Sequence, residues 1–484
     1  WVAGGRTYTS AMREYNSIYK TTGSFNIKTG IQVYGGFSGD ESIRSDRNWF
    51  ENETILTNQD DQVVTFKNVS NTTVLDGFTI KGPEGPSRKY KRYGISNKNG
   101  SPRISNCTII GHDNYGIYNE ATACTSSDAL NSCLPTSPTL INCIIKENNA
   151  RFGGGIYNRS FKGNTANPTF INCIIKDNTA TTHGAGMFNK VESNNSNYNP
   201  GTANPTLTNC LISGNNVGRA LGGGIFNYSN GGTANPTLTN CHISGNIGNG
   251  AAMYNEVRSS SDHSGIASPT LTNCLISGNT IGSTGTGAGA IFNKAMLDGT
   301  ANPTLTNCTI TGNKGGLAGG LYNLSENGTA NPTLINSILW GNENNNGGNV
   351  SGVAGSRHSV QNSGGSPSYS YCNIQRSGGS GVESWKGAFG TDGGGNIDSN
   401  PMFIDALPYS TEPTTEGNYH LWQVSPAIDA GNNNAVNLPE KDLDSEARIQ
   451  GDNDDGEKVV DMGAYEFQVP TCIPGDINCD GIVN

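Results

Sequence analysis

Apolar residues in the middle of the chain do not recur at a helical interval. They come as short alternating triplets separated by Asn and Gly, as in NPTLTNCLISGN, Asn204 to Asn215, which has near copies up and down the chain. Aligned on cysteine, the copies place Cys107, Cys143, Cys173, Cys210, Cys241, Cys274 and Cys308 in one column, 36, 30, 37, 31, 33 and 34 residues apart, with Ser337 taking the place 29 further on. Repeats of this period are the signature of a solenoid or a propeller. Three residues before the column stand Ile104, Leu140, Phe170, Leu207, Leu238, Leu271, Leu305 and Leu334; two after it stand Ile109, Ile145, Ile175, Ile212, Ile243, Ile276, Ile310 and Leu339. These columns read as inward. The position directly after the cysteine accepts Thr108, Ile144, Leu211 or His242 and reads as outward, as strand alternation requires.

An Asn precedes every cysteine from Cys107 to Cys308 and recurs five residues after it from Asn148 to Asn342, with His112 in the first copy. Asn tolerates the left-handed backbone of a tight corner, and its amide can bond the identical amide one level up. Asn209 and Asn215 are therefore expected to turn the two corners of their copy. A third strand follows at GIYN (Gly116 to Asn119), GIFN (Gly224 to Asn227), AMYN (Ala252 to Asn255) and their equivalents. Three strands per turn make the coil of a parallel β-helix, an all-β solenoid, with the variable segments after GIFN projecting as long loops from one edge. One coil buries nothing alone, so the stack is expected to end in sheet edges that need caps or partners.

Composition supports this reading. The chain has 484 residues, 66 of them Gly and only 14% charged, and no apolar run approaches the ~18 residues of a membrane span. The net charge of −10 is uneven. Residues 397–484 hold 17 acidic against 3 basic side chains, leaving 27 basic and 23 acidic elsewhere. No basic stripe suggests nucleic acid; RKYKR (Arg88 to Arg92) reads as a solvated loop. A start at Trp1, without Met or a signal peptide, reads as part of a longer, processed product.

Candidate chemistry is sparse. The cysteine column reads as a buried thiol stack acting as apolar filler, against disulfide pairing or a soft metal, because Ser337 would break either. Cys124 and Cys133 enclose a loop that a local disulfide could staple. The aromatic column Tyr118, Tyr157, Phe188, Phe226, Tyr254, Phe292, Tyr322 adjoins an Ile/Met/Leu column, and alternation forbids both from facing inward. The aromatics are therefore expected outside, either covered by the long loops or exposed to glycans or a neighbouring subunit. His112-Asp113 and Asp262-His263 read as solvated loop residues, so no catalytic residue is assigned. The acidic stretch Asp442 to Glu457 suits either calcium or solvated capping loops. Sequons at Asn52, Asn68, Asn71, Asn158, Asn194, Asn227, Asn323, Asn327 and Asn349 matter only if a host modifies them.

The repeat columns over about residues 100–380 resemble the right-handed parallel β-helix family, and their GG and F/Y-N elements resemble repeats of polymorphic outer-membrane adhesins. The flanks WVAGGRTYT, GIQVYGGFSGDES and VLDGFTIKG, with NYHLWQVSPAIDAG, DLDSEARIQG and VVDMGAYEF near the other end, are similar to secreted bacterial β-helix proteins of the choice-of-anchor Q type. CIPGDINCDGIVN resembles the beginning of a dockerin-type calcium loop. That resemblance implies Asp476, Asn478, Asp480 and the Ile482 carbonyl as calcium ligands, with the twelfth-position acid beyond Asn484, and no organic cofactor. The implied organisation is 1–100 as N-terminal coils, 101–380 as repeat coils of about 29–37 residues, 381–468 as a closing, capping region and 469–484 as an incomplete calcium loop. The implied function is a non-catalytic protein, exported to the surface or surroundings of a bacterium. It would serve as adhesin, scaffold or fibre subunit, with itself or surface glycans as partner. A polysaccharide-binding or polysaccharide-degrading β-helix is the alternative.

Overall fold

Each repeat closes one turn of a coil, and segment 206–230 shows how. Thr206–Thr208 forms a strand, Asn209 reverses the chain at φ +53°, Leu211–Ser213 forms a second strand, and Gly214 turns again at φ +63°. A short outer strand, Asn216–Leu221, then leads to the third main strand, Ile225–Asn230. The first corner is the expected Asn. The second is not: Gly214 carries the left-handed turn, as do Glu147, Asp177, Gly245 and Gly278 in other copies, while Asn215 is wholly buried. The computed structural model describes residues 6–9, 23–58, 61–83, 92–122, 135–192, 200–258, 263–282, 286–344, 359–407, 413–449 and 458–468. Cys124, Cys133 and the calcium-loop residues Asp476, Asn478, Asp480 and Ile482 lie outside these.

Stacked coils form three long parallel sheets: a leucine sheet of 12 strands, a cysteine-isoleucine sheet of 12 and an asparagine sheet, built from the GIFN copies, of 11. Pairing is in register, so Leu207 faces Leu238, Ile212 faces Ile243 and Asn227 faces Asn255. The protein is an all-β parallel β-helix, with no α-helix among the described residues. Its crossovers join parallel strands of one sheet, the connection that chirality makes right-handed. The N-terminal strands from Phe25–Ile27 onward belong to the same three sheets. At ~4.8 Å per rung, twelve strands make a rod about 50 Å long.

The three sheets close on one apolar core of the Leu, Ile and Cys columns, each at most 2% exposed. The thiols of this column are free, and each sulfur lies near backbone carbonyls: Cys241 Sγ is 3.3 Å from Thr239 O and 3.6 Å from Leu207 O. Ser337 substitutes by donating its hydroxyl to Ile335 O at 2.9 Å. The column is filler, as expected. Cys372 continues it into a further coil through Asn373–Ile374.

Two files of buried amides run through this core. In the second-corner file, Asn148 Nδ2 donates to Asn178 Oδ1 at 3.0 Å, Asn178 to Asn215 at 2.9 Å, and so on to Asn342. In the asparagine sheet, every GIFN-type Asn points inward beside its Ile. Asn97, Asn119, Asn158, Asn189, Asn227, Asn255, Asn293, Asn323 and Asn362 form an unbroken chain of Nδ2 to Oδ1 bonds of 2.7–3.2 Å.

The closing region does two things. Thr391–Asp392 adds a strand beside Ser368–Ser370, and Trp385 and Phe389 pack on the core end. Asn362 Nδ2, the last donor of the asparagine-sheet chain, bonds the carbonyls of Ala388 and Phe389 at 2.9 Å each. The C-terminal core end is thus covered by the chain itself rather than left as an open edge. Residues 400–407, 413–449 and 458–467 do not stay at that end. They run back along the outer face of the cysteine-isoleucine sheet as a strap. Ile338 packs with Leu421, Ala427 and Met462, Thr306 Oγ1 donates to Val436 O, Ala464 N donates to Thr309 Oγ1 at 3.0 Å, and Thr414 N donates to Gly278 O. The strap is pinned by Arg448, 5% exposed, which bonds Asn273 Oδ1 through Nε at 3.2 Å, Gly463 O at 2.9 Å, Ala464 O at 2.8 Å and Glu466 Oε2 at 3.1 Å.

Two outcomes follow. Asn227→Ala strands a buried donor on Asn189 and a buried acceptor on Asn255 and is expected to cost about 3 kcal/mol, whereas Asn209→Ala, at an exposed corner, costs about 1 kcal/mol; urea midpoints of the two variants check the difference. Arg448→Ala leaves Glu466 buried without its cation, a loss of about 3 kcal/mol or more. Limited proteolysis should then cut within 400–467 before the coils, while the wild type resists.

Candidate functional site

The aromatic column lies outside the main core, as alternation required, but it is not a contact surface. Tyr157, Phe188, Phe226, Tyr254, Phe292 and Tyr322 are at most 9% exposed and form a second core with Ala288 and Ala318. Successive rings stack at 5.0 Å (Tyr157–Phe188), 4.9 Å (Phe188–Phe226) and 4.5 Å (Phe292–Tyr322). Among the described residues, their cover does not come from the variable segments after GIFN. It is a fourth sheet of short strands that follow the second corner, Asn149–Phe152, Thr179–His183, Asn216–Leu221 and Ile247–Asn249. Phe152 and Leu221 from those strands press on the rings. The proposed role of these aromatics as a glycan or subunit contact is therefore corrected. Only Tyr118, half-buried in a cluster with Tyr93 and Tyr115, reaches the surface.

Beside this ladder the outer face of the asparagine sheet carries charges that satisfy one another. Arg159 bridges Glu120 and Glu192 at 3.2 Å each, Lys190 pairs with Glu192 at 2.6 Å, and Arg258 with Glu256 at 2.9 Å. Tyr118 donates its hydroxyl to Glu120 at 2.9 Å, and burial pushes its ionisation upward. Arg159 thereby ties three successive coils together, while the Lys190 and Arg258 pairs lie within single strands.

His112 is a further correction. It is 1% exposed and is no loop residue: it occupies the Asn place at the second corner, with Nε2 3.1 Å from Ile80 O and its backbone N–H donating to Asn148 Oδ1. Burial lowers its pKa to about 4. Asp113 pairs instead with Arg92 at 2.7 Å. Asp262 lies outside the described residues, and His263 is half-buried. The sequon residues Asn158, Asn227 and Asn323 are wholly buried in the amide chain and inaccessible to a glycosylating enzyme. On the strap, His420 has both ring nitrogens engaged, Nδ1 by Asn418 at 2.6 Å and Nε2 by Asp444 at 2.5 Å, with the Tyr465 ring at 4.1 Å.

The largest contrast lies along the outer face of the cysteine-isoleucine sheet. One outward row runs, in register, Lys81, Ile110, Lys146, Lys176, Ser213, Ser244, Ser277, Thr311, Trp340. Ser213, Ser244, Ser277 and Thr311 are at most 5% exposed, and the strap lies against the corner glycines that follow three of them, Gly245, Gly278 and Gly312. A short side chain lets the strap approach; a lysine would hold it off. On the earlier coils the face is open and forms a shallow trough of about 430 Å³ lined by Glu53, Ile55, Thr79, Lys81, Thr108, Ile110, Ile144, Lys146 and Lys176. Glu53 accepts from Thr79 Oγ1 at 2.7 Å, and corner carboxylates sit near two of the amines, Glu147 at 3.1 Å from Lys146 and Asp177 at 3.7 Å from Lys176. The trough thus alternates ammonium, hydroxyl, carboxylate and aliphatic surface over successive rungs. It is open, flat and suited to an extended ligand rather than to enclosing a small one. Among the described residues no three His, Cys, Asp or Glu side chains group as a metal site.

Fold and face together define a parallel β-helix rod whose cysteine-isoleucine face is strapped over its later coils and open over its earlier ones. No protein-family model matches the chain, and no curated protein matches it. Among solved structures it is similar to the crystal structure of pectate lyase Pel9A, at 12% identity and a TM-score of 0.41, over 96% of this chain and 87% of that one. At that identity the likeness carries no statement about activity.

The buried His112 makes stability depend on acid in a defined direction. Its folded pKa, about 4, lies below the ordinary 6.5, so the stability gained from keeping it neutral is complete above pH ~6.5 and is lost as pH falls through about 4. His183 and His242, also lowered to about 4 by burial, act in the same sense. His112→Asn would restore the standard amide of the column and remove one of these protonations. Its urea midpoint should fall less than that of the wild type between pH 7 and pH 4; an equal fall contradicts the assignment.

Proposed function

We propose that the chain is a non-catalytic, exported bacterial surface protein, an adhesin or scaffold, that holds an extended polysaccharide along the open flank of its rod. The observation that carries this reading is the uncovered trough from Ile55 to Lys176. A hydroxyl-rich polymer needs donors and acceptors repeated at a regular interval, and Thr79, Thr108, Lys81, Lys146, Lys176 and Glu53 supply them on adjacent rungs. Ile110, Ile144 and Ile174 offer apolar surface between them for the faces of sugar rings. The resemblance of both flanks of the sequence to secreted choice-of-anchor proteins supports export. The self-made cap of Trp385 and Phe389 favours a scaffold over a subunit that adds end to end at its C-terminal side.

Affinity electrophoresis or calorimetry against a panel of pectic, alginate-type and host-type glycans tests the reading. Binding to at least one polymer is expected, weakened about ten-fold by the combined Lys81→Ala, Lys146→Ala and Lys176→Ala changes, which remove three partly exposed polar contacts worth about 0.5 kcal/mol each. Release of unsaturated or new reducing ends overturns the non-catalytic reading. Binding indifferent to the three lysines overturns the trough.

A further inference from the structure

At the head of the open flank, the connection from Tyr34 to Thr54 crosses from the leucine sheet to the cysteine-isoleucine sheet and folds back on the coil. It closes tightly because two glycines let it. Gly36, at φ +86°, and Gly77, at φ +82°, lie against the Trp49 backbone and Cβ; a Cβ on Gly36 would collide with Trp49 Cα, and one on Gly77 would sit 3.2 Å from Trp49 Cβ. The result is a pocket of about 660 Å³ lined by Tyr34, Ile43, Arg44, Ser45, Arg47 and Trp49.

The electrostatics of this pocket are unbalanced. Two guanidinium groups flank one ring, Arg44 at 4.5 Å and Arg47 at 5.3 Å from the centre of Tyr34. Arg47 is fixed by Asp76 at 2.6 Å and by Gly35 O at 2.9 Å. Arg44 donates from Nη1 to the Tyr34 hydroxyl at 2.6 Å, and that hydroxyl in turn donates to Gln32 at 2.9 Å. Among the described residues Arg44 has no carboxylate partner. A second arginine held beside the first, with its fork directed at a pocket rather than at an acid, is arranged for an anion that the protein does not itself provide. The acids of this connection do not supply it: Glu41 is tied to the N–H groups of Ser38 and Gly39, at 2.7 and 2.9 Å, which hold its pKa down at about 2, Asp40 accepts from the Ser38 hydroxyl, and Asp46 accepts from the Ser45 hydroxyl. Trp49 and Ile43, 40% and 58% exposed, add a wide apolar wall. An indole face beside a planar cation is the chemistry that holds a pyranose ring by one face and its carboxylate by the edge.

We propose that this pocket binds a uronic acid residue of the polysaccharide, with Arg44 taking the carboxylate and Trp49 stacking on the ring. The proposal rests on the glycan-binding reading for its class of ligand but places the selection of acidic over neutral sugars in the Tyr34–Trp49 connection, not in the trough. Glu53 lines the trough four residues beyond Trp49, so a polymer lying on the open flank reaches the pocket at its end.

Calorimetry with a galacturonate trisaccharide and a neutral cellotriose, each too short to need the whole trough, provides the test. The wild type is expected to bind the acidic trisaccharide at least ten-fold more tightly than the neutral one. Arg44→Gln should abolish that preference, and Trp49→Ala should weaken both ligands. The triple lysine variant should keep the trisaccharide preference while losing polymer affinity, so the two sites fail separately. Equal affinity for the two trisaccharides, no measurable binding of the acidic one, or a preference unchanged in Arg44→Gln overturns the pocket. Circular dichroism of the variants, both at exposed positions, confirms the fold.

Discussion

Amide-to-amide hydrogen bonding between identical residues on successive coils is the constraint on which the structure depends. An Asn pointing into an apolar core is costly unless both its donor and its acceptor are met, since each stranded polar group forfeits about 1–3 kcal/mol. Within one coil a nearby carbonyl takes one N–H of some of them, as Ser244 O does for Asn246 and Gly100 O for Asn97, but the amide oxygens are met from neighbouring coils. Asn227 is satisfied only because Asn189 donates to it from the coil before and it donates to Asn255 on the coil after. The same demand passes along the file until the Ala388 and Phe389 carbonyls receive the last donor, Asn362. At the other end the oxygen of Asn97 has no donor among the described residues. The chain of bonds is therefore directional, and register is enforced coil by coil: a slip of one residue would break every amide contact along its path and turn the apolar columns outward.

Register in turn makes surfaces. Because each outward position repeats at one rung spacing, a change of residue type along a row changes a whole stripe of the rod. The row from Lys81 to Trp340 shows this most plainly. Lysines mark the half that stays open, and serines mark the half where the strap, pinned by Arg448, settles onto the sheet. On a neighbouring face the same regularity stacks aromatic rings under a fourth sheet, giving the rod a second core that stiffens it without entering the first.

The sequence made some of this legible and hid the rest for physical reasons. Leu207, Cys210 and Ile212 announced themselves because a closed core tolerates few side chains and repetition displays the restriction many times over. Asn209 was readable as a corner for a backbone reason. Asn215 was misread because Gly214 takes the left-handed turn and frees the Asn to face inward. The buried role of Asn227 carried a signal, since it lies two residues after an inward Ile and recurs in every GIFN copy, but polar identity masked it. The aromatic column was placed correctly outside the main core, while its cover could not be assigned because the fourth-sheet strands share no strict motif. Arg448 was not singled out in the sequence, because its partner Asn273 is 175 residues away. The Arg44 pocket belongs to a single irregular connection, where repetition offers no help.

Native-state hydrogen exchange tests the central claim most directly. If the amide files bind the coils into one unit, backbone N–H groups of the strands from Ile117 to Leu321 should exchange only through a common, slow opening, and Asn227→Ala should accelerate exchange in the coils on both sides of the change. Coils in the middle of the wild-type rod that exchange independently of their neighbours, or an acceleration confined to the substituted coil, would contradict it.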